Sequence, residues 1–327
     1  MEKRTKRILL GTGVFAAGVV AVKSVSDLVT KYLMKVAIDR EPPVSATQSN
    51  KMKERIMADE SICEFTTAIN MAKEQLELGD CETVDIVADD GIMLLGHWHQ
   101  AENPKRTIIA MHGWRSSWSS DFGIISDFWH KNNCNVLYVE QRGQNNSGGD
   151  YMGFGLLERF DCLNWICWVN ERCGIDLPIY LGGVSMGAST VLMATGLDLP
   201  ENVKGVVADC GFTSPYAIWK HVVEDNLRLP YGLYATAAED ICKKAIQVSP
   251  KDYSTVDAMK VCKVPVLFIH GTDDGFVPVE MSYENYKACI APKRIMVVPG
   301  ANHGMSYFID KEKYEKEIKE FWREYDV

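Results

Sequence analysis

The sequence predicts an α/β fold built on a mostly parallel eight-stranded sheet with helices on both faces. Three observations carry that reading. Short apolar runs alternate with longer segments of helical period from residue 83 onward. Most of these runs lack the in/out alternation of a sheet wetted on one face. The first two are joined by Asp90-Gly91, a hairpin turn pair.

Taken in order, residues 84–88 and 92–98 are the strands of the hairpin. The runs at 107–111, 136–139, 179–184, 203–208, 264–269 and 295–298 are predominantly apolar without in/out alternation, as suits parallel strands covered on both faces. Between them lie helical patterns at about 118–131, 155–173, 186–196 and 280–290, and residues 308–325 form a closing amphipathic helix rich in Lys and Glu pairs. In such a sheet ligands bind beyond the carboxyl ends of the strands. The residues just after each run are therefore the candidates for chemistry.

Composition narrows the function classes. The 327 residues are 46% hydrophobic and 24% charged, enough for a real core and far from disordered or collagen-like mixtures. The formal charge of −9 lacks the basic footprint that phosphate backbones demand, which excludes nucleic acid as a partner. The ten cysteines include no Cys-x-x-Cys pair and no zinc-like His/Cys spacing, so they read as reduced, buried, small hydrophobic residues.

The amino terminus is a different kind of sequence. Lys3, Arg4, Lys6 and Arg7 precede an uncharged run, Ile8 to Val22, that ends at Lys23. A helix over that run is about 22 Å long against a hydrocarbon layer of about 30 Å, so a short span and a cleavable signal both fit. Small residues at Gly13, Ala17 and Ala21 recur at helix-pairing spacing and favour an uncleaved anchor. Gly11-Thr-Gly13-Val-Phe-Ala16 matches a dinucleotide fingerprint only formally, for it has no strand before it and no acidic residue about 20 positions on. Basic residues before the run outweigh Lys23, Lys31 and Lys35 after it, which places the domain outside, whereas free cysteines point the other way. Residues 1–26 are thus read as a basic segment and membrane anchor. Residues 27–50 are a juxtamembrane helix, lying on the interface or the domain, and a polar two-proline linker; 51–327 are the catalytic domain.

Residues 179–190 read as strand, Gly183-Val-Ser185-Met-Gly187 turn, and helix. Glycines on both sides allow a sharp turn that exposes the Ser185 hydroxyl, and the helix amino terminus favours developing negative charge. A serine needs a base. Of the seven histidines, His303 stands in a loop directly after the last strand, on the side where the serine turn emerges. His97 and His99 share a strand face and could be half a metal site, yet they have no partners at matching spacing; His130 and His221 lie in helical patterns. The base in turn needs a carboxylate, and His270-Gly-Thr-Asp273-Asp274 after the seventh strand offers two, with Asp209 after the sixth as an alternative.

At this point the residues resemble the α/β-hydrolase family, whose usual wording here is His-Gly-x-x-Asp-x-x-Val-Pro. That alignment selects Asp274 and makes Asp273 a turn residue. The chain order Ser185, Asp274, His303 is the hydrolase order. His112-Gly113-Trp114 resembles the family's oxyanion turn, which implies that the backbone amides of Trp114 and Met186 receive the carbonyl oxygen. The DGIMLLGHW, SGGDYMGFGLLERFD and ADCGFTS segments look most like bacterial single-span α/β hydrolases of poorly assigned substrate. The family's common Arg-Gly-His-Gly is here Arg142-Gly143-Gln144-Asn145. The family also inserts a lid where residues 213–249 stand. Its Tyr216, Trp219, Leu227, Leu229, Tyr231, Leu233 and Tyr234 either line a pocket for an apolar acyl or aromatic group or, the favoured reading, pack the lid onto the sheet.

The resemblance implies a serine hydrolase that cleaves a small-molecule carboxylic ester through an acyl-enzyme on Ser185, requiring neither a metal nor an organic cofactor. A thioesterase or short-peptide hydrolase with the same triad is the alternative, and a catalytically silent, membrane-tethered binding module is the reading from another class.

Overall fold

The computed structural model describes residues 23–45 and 62–326. The predicted anchor run, and with it the formal dinucleotide match, lies outside the described residues, as does part of the linker. Among the described residues no helix is long and apolar enough to cross a membrane.

Residues 23–38 form helix α1, followed by α2 (Ile62–Glu77) and the hairpin β1 (Glu82–Val87) and β2 (Met93–His99). The turn closes as the sequence predicts: Gly91 has φ +84°, and its amide bonds Ala88 O at 2.8 Å. The chain continues through β3 (Arg106–Met111), α3 (Trp118–Lys131), β4 (Cys134–Val139), α4 (Glu158–Cys173), β5 (Ile179–Val184), α5 (Met186–Ala194) and β6 (Val203–Asp209). The lid contains α6 (Pro215–His221), a π turn at Val222–Asn226, a 3-10 turn at Tyr231–Leu233 and α7 (Ala235–Ile246). The remainder is α8 (Thr255–Met259), β7 (Val266–Gly271), α9 (Val279–Ala288), β8 (Lys293–Val298), α10 (Ser306–Ile309) and α11 (Lys311–Tyr325).

The eight strands lie in the order β1-β2-β4-β3-β5-β6-β7-β8. β2 pairs antiparallel with β1 and β4, and every other pair is parallel. Burial explains the missing alternation in the sequence, since β3, β4 and β7 are buried at every position. One face is covered by Trp165 and Ile166 of α4, Val191 and Leu192 of α5, and Met259 of α8. The other is covered by Phe122, Phe128 and Trp129 of α3 and Ile318, Phe321 and Trp322 of α11.

One detail differs from the sequence reading. The closing helix is split at Asp310, whose side chain accepts the Lys313 amide and caps α11; a good N-cap outcompetes continuation of the preceding turn. Of the two places the sequence leaves open for the juxtamembrane helix, the membrane interface or the domain, the described residues show contacts with the domain. Met34, Val36 and Ile38 of α1 are buried in a third apolar cluster together with the lid, so the apolar face of α1 lies on the domain. Its carboxyl end is tied down by polar bonds. The Trp114 indole donates to Ala37 O at 2.8 Å, and the Arg115 guanidinium donates to Val36 O at 2.8 Å and Asp39 O at 2.6 Å. These carbonyls belong to the last turn of a helix and just beyond it, where no intrahelical donor exists. Arg40 then donates to the Asn145 carbonyl at 2.6 Å.

Candidate active site

β5 ends at Val184 and α5 begins at Met186, so Ser185 alone makes the turn between them. Its backbone has φ 55° and ψ −115°, a conformation that costs a non-glycine residue of order 1–3 kcal/mol and persists only where the surroundings enforce it. The flanking glycines show that enforcement. A Cβ on Gly183 would lie 2.3 Å from Gly187 O, and one on Gly187 would lie 1.8 Å from Met111 O. Neither position admits a side chain, which is the physical reason for the Gly-x-Ser-x-Gly pattern.

His303 sits in the loop between β8 and α10, and Asp274 in the turn between β7 and α9. Residues 118 and 29 positions apart in sequence meet here. His303 Nε2 is 2.9 Å from Ser185 Oγ, and His303 Nδ1 is 2.7 Å from Asp274 Oδ2. An ionised carboxylate can only accept, so Nδ1 carries the hydrogen and Nε2 presents a lone pair to the serine hydroxyl. All three side chains are buried.

Asp274 is held by four donors. Oδ1 accepts the amides of Phe276 at 3.0 Å and Val277 at 2.8 Å. Oδ2 accepts His303 and, at 3.1 Å, the Nε2–H of His270, a ring that Ser282 Oγ contacts at 2.6 Å. Burial by itself would raise the Asp274 pKa; the two imidazoles outweigh it and hold the carboxyl below its usual range. His303 shows the converse. Burial opposes its protonation, yet attraction to Asp274 leaves its pKa well above the ordinary imidazole value.

The other carboxylates considered in the sequence fall elsewhere. Asp273 is an exposed turn residue bonded to Thr272 Oγ1 at 2.7 Å. Asp209 is buried and accepts Tyr314 Oη at 3.1 Å and Ser306 Oγ at 3.3 Å, and burial lifts its pKa to about 6. His97 pairs with Glu140 at 2.8 Å and stacks on Trp118. His99 stacks on His130, whose Nε2 meets Tyr138 Oη at 2.9 Å. Among the described residues the one group of three metal-ligating side chains within mutual reach is Cys210, Asp274 and His303, inside this site.

The turn after β3 has a related order. The Gly113 amide donates to Asp121 Oδ2 at 2.6 Å and the Arg115 amide to Gln144 Oε1 at 2.5 Å. The Trp114 amide between them has no hydrogen-bonded partner among the described residues. The Met186 amide is the first of α5, one of the helix donors that lack an intrahelical acceptor. Two sequence-predicted oxyanion donors are thus left uncommitted beside the serine. His112 itself is fully buried, its ring spanning Gly113 O at 2.8 Å and the Gln141 amide at 3.1 Å, so it braces the turn.

Three contributions were not read from the sequence. Gln144, in the stretch that departs from the family wording, fixes the oxyanion turn through Arg115. His270 supports Asp274; its place in the His-Gly-x-x-Asp wording was the available signal. Cys210 directly follows β6 with φ 49°, and its Sγ lies within 4.8 Å of ligating atoms of both His303 and Asp274. Burial pushes that thiol up to about 11, so it stays neutral. The nine cysteines with described side chains are all free.

The strand order, the serine turn after the fifth strand and the converging histidine and aspartate define an α/β hydrolase. Residues 121–325 match the prolyl oligopeptidase family, and the chain belongs to it. It is similar to the uncharacterized protein YqkD of Bacillus subtilis, 27% identical over 187 residues, which are 57% of this chain and 61% of that protein. The uncharacterized protein YfhR of Escherichia coli K12 is 27% identical over 250 residues, covering 73% of this chain and 80% of its own length. Among solved structures, a Pyrococcus furiosus esterase superposes with TM-score 0.64 at 22% identity, over 78% of this chain and 94% of that one. The Pyrococcus horikoshii acylaminoacyl peptidase gives TM-score 0.57 at 19% identity, over 74% of this chain and 41% of that one. At such identities these two likenesses speak for the fold alone.

Proposed function

We propose that the protein is a serine hydrolase that cleaves carboxylic esters through an acyl-enzyme. The observation that carries this reading is the single ring of His303, placed 2.9 Å from the Ser185 hydroxyl and 2.7 Å from the Asp274 carboxylate. Ser185 Oγ attacks the carbonyl carbon while its proton passes to His303 Nε2. The carbonyl oxygen becomes an oxyanion facing the amides of Trp114 and Met186, each donor lowering the barrier by about 3 kcal/mol. Collapse breaks the bond to the alcohol oxygen, which leaves with the proton from His303. Water then enters, gives its proton to the same nitrogen and frees the acid, restoring Ser185. Asp274 holds the tautomer and steadies the imidazolium.

An ester is favoured over a peptide because the cavity beside the site is lined by apolar and aromatic side chains, with no charged group among them. Peptide or thioester cleavage is the second reading, supported by the prolyl oligopeptidase family match. A fluorophosphonate probe should label the folded wild type and not Ser185→Ala; equal labelling of the two refutes the nucleophile. Turnover of p-nitrophenyl esters set against acyl thioesters and aminoacyl amides then decides the leaving group. We further propose that residues 8–22 anchor the chain in a membrane with the catalytic domain on the outer side, a reading supported by the apolar run and the basic residues before it.

A further inference from the structure

Between α1 and the lid lies a cavity lined almost wholly by apolar and aromatic side chains, the usual lining of small-molecule sites. α1 supplies Leu33, Met34 and Ala37 to its wall, and the lid supplies Trp219, Leu227 and Tyr234. The sequence reading had most of the lid aromatics packing onto the sheet; several instead face this space, while Leu233 is exposed.

The cavity adjoins the catalytic residues through two of the side chains that line it. Trp114, whose amide is a candidate oxyanion donor, lines it together with Phe276. The Phe276 ring stands edge-on to His303 with centroids 5.0 Å apart. The same Trp114 holds α1 through the Ala37 carbonyl, and Arg115 holds the Val36 and Asp39 carbonyls on either side of it, so the oxyanion turn and the α1 wall are one assembly.

We propose that α1 is one wall of the acyl-binding site, that the substrates are esters of apolar acids, and that Leu33 and Ala37 gauge the chain length. This rests on the serine-hydrolase reading above. The acyl chain is the better occupant than the alcohol for a kinetic reason. The alcohol departs in the first half-reaction, whereas the acyl group stays on Ser185 through both, so its contacts can act on both transition states. No charged side chain lines the space, which disfavours a polar or ionised occupant.

The test is kcat/KM for p-nitrophenyl esters from acetyl to dodecanoyl with the full chain. In wild type it should rise by up to about fourfold per methylene until the cavity is filled. Ala37→Leu should lower the octanoyl-to-acetyl ratio by about tenfold or more, and Leu33→Ala should move the optimum to longer chains. Leu28→Ala, on the exposed side of the same helix at 70% exposure, should leave the ratio unchanged. Should Ala37→Leu fail to fold, Leu33→Ala still carries the test. Offering the octanoyl group as a dissolved ester and as a diacyl phospholipid in vesicles separates the two sources of such a chain; length-dependent turnover of either supports the acyl wall. If acetyl and octanoyl esters are cleaved alike, if neither lining substitution moves the ratio, or if rates follow the alcohol length of acetate esters, the acyl wall is overturned while the serine-hydrolase reading stands. If no ester of any length is cleaved, it is that reading which has failed.

Discussion

Replacing Asp274 with Asn keeps the shape of the side chain and removes its charge, and the consequences follow from the four donors around it. Two backbone amides point at Oδ1, and the ring N–H groups of His303 and His270 point at Oδ2. An amide has one accepting oxygen and two donor hydrogens. If the oxygen stays with the Phe276 and Val277 amides, the new NH₂ faces two imidazole N–H groups. His303 can relieve that conflict only by moving its hydrogen to Nε2, which removes the lone pair that should accept the Ser185 proton. A wrong tautomer of this kind costs about 10⁴ in kcat, or about 5 kcal/mol of barrier. The pH profile supplies an independent readout. In wild type His303 must be neutral to act as a base, and its pKa is raised because Asp274 outweighs burial. Activity should therefore rise with pH through a midpoint above about 6.5. Without the carboxylate the first of the groups that raise the His303 pKa is gone, leaving the smaller upward pull of Cys210 against burial, so the acid limb of the residual activity should move downward. Stopped or continuous ester assays from pH 5 to 9 on matched, folded preparations measure both effects. Residual activity within tenfold of wild type, or an acid limb at the same pH in both proteins, would refute the assignment of Asp274 and the electrostatic argument behind it.

Gly187→Ala should destabilise the fold by about 3 kcal/mol or more, because the added Cβ meets the Met111 carbonyl oxygen at 1.8 Å and backbone cannot give way. Gly232→Ala, where nothing lies within 4 Å, is the control, and thermal unfolding that fails to separate the two would remove the steric account of the serine turn. For the membrane proposal, the full chain should sediment with membranes and resist alkaline extraction, and protease added to intact cells should digest the catalytic domain. Release of the chain by high salt overturns the anchor, and protection from protease overturns the orientation.

Much of the site is legible because its parts are local. The serine turn is written in five consecutive residues, since the glycines that relieve the backbone must sit at fixed offsets from Ser185. The carboxylate is legible only through the family wording that selects Asp274; the structure adds the physical reason, since the Phe276 and Val277 amides that hold it lie two and three positions after it. The fold was legible from apolar runs, because strands covered on both faces need no polar positions. Cys210 stands just after a strand and Gln144 in the stretch that departs from the family wording, yet the sequence assigns neither a role. Each acquires its place through a neighbour far along the chain, His303 in one case and Arg115 in the other, and nothing in their local wording encodes that partner.

What the sequence by itself determined is therefore the order of strands and helices along the chain, the serine turn with Ser185 and the placing of His303 after the last strand, which follow from short-range periodicity and backbone sterics, while the family resemblance selected Asp274 among the carboxylates. Tertiary structure alone decided that α1 lies on the lid, that Arg115 and Trp114 clasp its final carbonyls, and that the space between becomes a cavity beside the serine. An apolar helical stripe specifies that it will be covered but not by what. That choice is made by shape and by which unpaired carbonyls meet which donors once the chain has folded.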